Sequence, residues 1–95
     1  MEVSDIVWLE RYAAKIRHKH HVSLSEAEEV LFSKPFVRKI ARGRVRGENL
    51  YAAFSQTSSG RYLTVIFIAK KTGAALPISA RDMDDSERKY YGRHR

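Results

Sequence analysis

The sequence predicts an α+β domain: an antiparallel meander sheet of three to four strands, with two N-terminal helices and one C-terminal helix packed on it. Two observations carry that prediction. As far as Leu31, apolar residues recur at the i, i+3, i+4 spacing of a helix. From Phe36 onward they form short runs rich in Val, Ile, Phe and Tyr, joined by turns too short for a parallel crossover. At 95 residues the chain has room for one modest core, so a single domain spanning residues 1–95 is expected.

The elements follow in order. Ser4 offers a hydroxyl to cap a first helix, whose buried stripe is Leu9, Tyr12, Ala13 and Ile16, extended one turn by His20. Val22 and Ser23 interrupt the pattern. Ser23 and Glu26 stand at capping-box spacing and start a second helix with Leu24, Ala27, Val30 and Leu31 on its core face; Pro35 ends it at the latest. Residues 36–42 read as a first strand and residues 48–57 as a second, with Leu50, Ala52 and Phe54 on one face. Ser58-Ser59-Gly60 reads as a hairpin turn. The run from Tyr62 to Ala69 is apolar on both parities at Val65, Ile66, Phe67 and Ile68, which predicts a central strand covered on both sides. After the turn at Lys70-Lys71-Thr72-Gly73, residues 74–80 return as a strand, with Pro77 at an edge or a bulge. Asp82 is expected to cap a short last helix carrying Tyr90 and Tyr91, and Gly92 to Arg95 to fray.

Composition narrows the function. The chain carries 18 Lys and Arg against 11 Asp and Glu, a formal net charge of +7. It has no Cys, which removes disulfides, thiolate metal sites and Cys nucleophiles. No stretch approaches the roughly 18 apolar residues of a membrane span. Met1 to Asp5 lacks a basic leader, so a cytoplasmic protein is expected. The cations are segregated: residues 11–25 and 30–47 contain no acid, while Glu26, Glu28 and Glu29 cluster, as do Asp82, Asp84, Asp85 and Glu87. Segregated charge produces a directional field suited to a polyanion or an acidic protein.

Five places could carry chemistry. Arg38, Arg42, Arg44 and Arg46 share parity, so an unbroken strand would project all four onto one face for phosphate, unless Gly43 and Gly47 break the register; the same charges would also protect an edge strand from aggregation. Lys19 and His20 end the first helix. Lys19 complements the negative end of the helix dipole, and His20 either completes the apolar stripe or transfers protons. His18 and His21 lack the further ligands a metal site needs, so neither a metal nor a cofactor is expected. Glu48 follows the arginine run, as counter-ion or as general base. Arg81 stands where a strand hands over to a helix, as a phosphate contact or as a partner of Asp84 or Asp85. No glycine-rich phosphate loop, nucleophile elbow or carboxylate pair at metal spacing is present. Residue chemistry alone leads to a basic α+β domain that binds nucleic acid.

Trp8, then His20 within Lys19-His20-His21-Val22-Ser23, then the run from Glu26 to Phe32 resemble the opening of the BrnT-family toxins. Gly47-Glu48, the run from Gly60 to Phe67, Ile78-Ser79-Ala80-Arg81, and Glu87-Arg88 followed by Tyr90-Tyr91 match the same family in the same order, over residues 7–91. His21 stands where the family usually has Gly, so a different helix end is expected. Asn49 and Leu50 stand where many members carry an arginine. The resemblance implies a toxin of a type II toxin–antitoxin pair, with a fold similar to the RelE-like ribonucleases and cleavage of RNA without a metal. It also implies a cognate antitoxin that is a small DNA-binding protein, and leaves room for a homodimer within the assembly.

Metal-free cleavage requires the ribose 2′-hydroxyl to lose a proton, the phosphorane charge to be stabilised and the leaving 5′-oxygen to be protonated. The resemblance and the residue chemistry together assign the charge to Arg61 and Arg81, with Lys19 assisting. They assign proton transfer to His20 or Glu48. Arg38, Arg42, Arg44, Arg46 and Arg88 would bind flanking phosphates, and Trp8 or Tyr91 would stack a base. Two rivals remain: a non-catalytic nucleic-acid-binding domain, and an interaction module for an acidic protein.

Overall fold

The capping box at Ser23 forms as its spacing predicts: the Ser23 hydroxyl accepts from the Glu26 N–H at 3.0 Å, and the Glu26 carboxylate accepts from the Ser23 N–H at 2.9 Å. In the computed structural model, which covers all 95 residues, this box opens helix α2 (Leu24–Phe32). The other elements are β1 (Asp5–Ile6), α1 (Glu10–His20), β2 (Phe36–Ala41), β3 (Leu50–Gln56), β4 (Tyr62–Ala69), β5 (Ala74–Asp82) and α3 (Asp85–His94).

The sheet runs β1-β5-β4-β3-β2. Strands β2 to β5 form the expected antiparallel meander. The sheet is nevertheless five-stranded and mixed, because β1 pairs in parallel with the start of β5, Asp5 opposite Ala74 and Ile6 opposite Ala75. This pairing also overturns the expected role of Ser4. Its N–H donates to the Gly73 carbonyl at 3.3 Å and the chain stays extended through Val7, so α1 begins later, with Leu9 at its N-cap and no side-chain cap. Asp82 likewise does not cap α3. It is the last residue of β5, and Asp84 forms a second capping box with Glu87. Helix α3 runs through His94, so the tail is helical where fraying was expected. Pro77 sits at a register shift between β4 and β5, the bulge being one of its two expected settings.

Side-chain parity divides the sheet into two faces. Ala53, Leu63, Val65, Phe67, Ala75 and Ala80 pack with Ile16, Val22, Ala27, Val30 and Leu31 of the first two helices, and this is the main core. The opposite face carries a smaller cluster of Ala52, Phe54 and Met83, with Phe36, Tyr62, Ile66, Tyr90 and Tyr91 packed against it. Helix α3 covers part of this second face, yet none of its own residues is buried. Helix α1 ends with His21 in the left-handed region, φ 54° and ψ 37°. The helix therefore closes in the conformation that glycine adopts most easily, here taken by a histidine.

Candidate functional site

The structure distributes the sequence-predicted residues over several places. Arg61, at the start of β4, lies on the face of α1 and α2. Its Nε and Nη2 donate to Asp82 at 2.7 and 3.1 Å, and Nη1 donates to Glu26 at 3.1 Å and to the His21 carbonyl at 2.9 Å. Nη2 also reaches the His20 carbonyl at 3.5 Å. A guanidinium has five N–H donors, and here protein oxygens take all of them. The arginine thus ties the last carbonyls of α1 to the first turn of α2 and the end of β5. Its carboxylate partners hold it firmly protonated, Asp82 most strongly. Lys19 is exposed beside this knot, and the His20 backbone is part of it.

Glu48 lies at the other end of β3 and β4. Its side chain is largely buried and accepts from Lys70 Nζ at 2.8 Å and from the Lys71 N–H at 3.5 Å. The Lys70 hydrogen bond keeps the carboxyl below the usual glutamate range, so it stays ionised as a counter-ion.

Arg81 points to the second face. Residues alternate across a strand, and its neighbours Ala80 and Asp82 belong to the α1/α2 side. Nη1 and Nη2 of Arg81 donate to the two Glu87 oxygens, the second at 2.9 Å, so α3 supplies the partner and not Asp84 or Asp85. Thr64 stands directly across from Arg81 in the register, and its buried hydroxyl is the one buried side-chain polar atom without a hydrogen-bond partner. Along the same flank of α3, a cleft of about 230 Å³ is lined by Arg38, Phe54, Ser86, Glu87, Tyr90 and Arg93. Arg38 lies over the Tyr90 ring, 4.6 Å from its centroid, with no carboxylate in ion-pair range.

The remaining predicted contacts fall elsewhere. Arg88 and Tyr91 line a cleft of about 370 Å³ on the opposite stripe of α3, where Arg88 stacks 3.7 Å from the Tyr62 ring centroid. Trp8 packs against the main core and donates Nε1–H to Glu28 at 2.8 Å. Arg42, Arg44 and Arg46 are not on a strand, because β2 ends at Ala41 after a register shift. Gly43 forces the chain away: a Cβ there would lie 1.7 Å from the Glu48 carbonyl oxygen.

Arg61 and Arg81 therefore occupy opposite faces, and neither shares a hydrogen bond or ion pair with the Glu48 carboxylate or the His20 ring. Sequence reasoning did not bring Glu87, Tyr90 and Arg93 together with Arg38, nor Thr64 opposite Arg81. The spacing Asp84 to Glu87, a capping box, was the available signal for the position of α3.

Comparison with known proteins gives one result. A family model described as "Ribonuclease toxin, BrnT, of type II toxin-antitoxin system" matches residues 8–87, which includes both faces described above. No curated protein matches the chain.

Proposed function

The chain belongs to the BrnT family of type II toxin–antitoxin ribonuclease toxins, and we propose that it cuts RNA in the cleft beside α3. Membership implies an antitoxin partner. The observation that carries the location is the convergence of Arg38, Arg81 and Arg93 with one carboxylate, Glu87, and one phenol, Tyr90, on the second face of the sheet. In this reading the scissile phosphate displaces Glu87 from the Arg81 fork, and Arg38 closes on it from β2. Two guanidinium groups then meet the charge that builds on the phosphorane, where fixed donors act most strongly. The freed Glu87 carboxylate takes the proton from the ribose 2′-hydroxyl, and Tyr90 offers its hydroxyl to the leaving 5′-oxygen. The cations supply the charge stabilisation, so the reaction as written requires no metal. Of the sequence candidates, this reading keeps Arg81 as the catalytic charge and Arg38 as its companion. It moves proton transfer from His20 and Glu48 to Glu87 and Tyr90. The antitoxin, a small DNA-binding protein in this reading, neutralises the toxin by covering the basic second face.

Induced expression with RNA gels, and purified protein with single-stranded RNA, test the proposal. Arg81→Ala and Arg38→Ala should fold, bind RNA more weakly and leave it uncut. RNA bound by the wild type but intact after long incubation would favour a non-catalytic nucleic-acid-binding domain. Folded Arg81→Ala cutting at the wild-type rate would remove the cleft from the chemistry.

A further inference from the structure

We infer that the RNA strand held in the α3 cleft extends past Arg38 into a second binding site, the cavity between the 42–47 loop and the first turn of α1. This inference rests on the reading of the α3 cleft as the cutting site.

The second site is a cavity of about 430 Å³ lined by Arg11, Tyr12, Gly43, Arg44, Val45, Glu48, Leu50, Ile68 and Lys70. Its floor is apolar: Leu50 and Ile68 are half-buried, and Val45 is 53% exposed. Glu48 is its single carboxylate and is already taken by Lys70 and the Lys71 N–H. Arg11 and Arg44 have no carboxylate in ion-pair range, and neither do the nearby Lys15, Arg42, Arg46 and Lys71. Arg11 and Lys15 lie 4.8 and 5.5 Å from the Tyr12 ring centroid, so the charge is held over an aromatic surface. The loop is shaped by the packing of Gly43 on Glu48, by the Gly43 N–H to Asn49 Oδ1 bond at 3.4 Å and by the Glu48 N–H to Val45 carbonyl bond at 3.0 Å. An apolar floor with unpaired cations at its rim fits a nucleobase and its phosphate.

Leu50 and Ile68, in the floor of the cavity, have the side-chain parity of the α3 cleft, while Arg11 and Tyr12 reach the cavity from α1. Thr64, Ile66 and Ile68 alternate with that parity along β4, and their cross-strand neighbours are Phe54, Ala52 and Leu50. Arg81 stands across from Thr64, and the cavity begins at Ile68. Four residues of strand span roughly 13 Å. That is about four stacked nucleotides at 3.4 Å each. Between the two sites lie Ala52, buried, and Ile66, half-buried, both in the cluster that includes Tyr90 and Tyr91, with Arg38 across from Ala52 and no acidic side chain in the register. A strand cut at Arg81 thus reaches the Arg44 cavity only if it extends several nucleotides to that side.

Oligoribonucleotides of about three and about eight nucleotides distinguish the sites. Fluorescence anisotropy gives affinity and salt slope, and cleavage assays give KM and kcat. Wild-type protein should bind the longer strand at least about tenfold more tightly. Arg44→Ala and Arg11→Ala should each weaken the longer strand about threefold to tenfold, raise its KM, lower its salt slope by about one and leave the trimer and kcat unchanged. Equal effects on both lengths, or none on either, would overturn the inference while trimer cleavage still supports the α3 cleft. Loss of antitoxin binding with RNA affinity unchanged would also overturn it, assigning the surface to a protein. If wild-type protein neither binds nor cuts either strand, the cleft reading itself fails.

Discussion

Arg61 and Arg81 stand on opposite faces of one sheet, each bonded to carboxylate, and they are held in opposite ways. Arg61 spends every N–H on protein: two carboxylates and two main-chain carbonyls surround it. Arg81 is held by one carboxylate, on a helix with no buried residue, opposite a buried hydroxyl that has no partner. A saturated guanidinium in a rigid knot maintains the fold. A guanidinium whose one partner sits on a lightly anchored helix can exchange that partner for a phosphate. Residue type does not distinguish the two; the number of fixed oxygens around each does.

Substitution is the most direct way to break this comparison. Arg81→Ala should lower RNA cleavage by about 10²–10³-fold, the usual cost of removing one transition-state donor, with an unfolding midpoint close to wild type. Arg61→Ala should do the reverse. Loss of charge-assisted bonds across three elements should cost about 2–3 kcal/mol in urea unfolding, while cleavage per folded molecule is retained. A stable Arg61→Ala protein that cuts no RNA would interchange the two roles.

Acid sharpens the contrast. Asp82 is held below its ordinary value of 3.8, chiefly by the Arg61 hydrogen bond, and Glu26 below 4.5, chiefly by the Ser23 backbone N–H with Arg61 adding to it. A carboxyl depressed in the folded state contributes fully above its unfolded pKa and loses that contribution as pH falls through the folded one. Stability should therefore be flat from neutral pH down to about pH 5, then fall as the medium becomes more acidic. In Arg61→Ala that fall should be shallower, because part of the depression is gone. Urea midpoints of both proteins at about pH 7 and about pH 3 measure the difference; parallel curves would remove Arg61 as the cause.

The smallest effect is expected at the end of α1, next to the Arg61 knot. His21 at φ 54° pays a left-handed penalty that glycine does not. His21→Gly should raise stability by about 0.5–1 kcal/mol, a rise in Tm of a few degrees. A lower Tm would mean that the imidazole makes a contribution larger than the strain.

The parts of this fold that were legible in the sequence are those fixed by near neighbours. The Ser23 to Glu26 box, the change of period at Phe36 and the glycine turns at Gly60 and Gly73 depend on residues a few positions apart. Strand β1 was not legible, because two residues carry no period and their partners lie at Ala74 and Ala75. Arg61 read as a phosphate contact because its partners, Glu26 and Asp82, are distant in sequence. The arginine ladder from Arg38 to Arg46 failed where a carbonyl oxygen leaves Gly43 no room for a side chain. Arg81 was singled out from its place before a helix, but its partner depended on whether Asp82 or Asp84 began that helix.

The N-terminal arm has a consequence for the order of events during synthesis. Asp5 and Ile6 are made well before β5, the only strand they join. Because β5 lies between β1 and β4, each of those two strands keeps an unpaired edge until β5 emerges, and Arg81 emerges with it. The sheet therefore closes only once β5 is made, after every other strand, and the face that carries Arg81 takes shape in that last step.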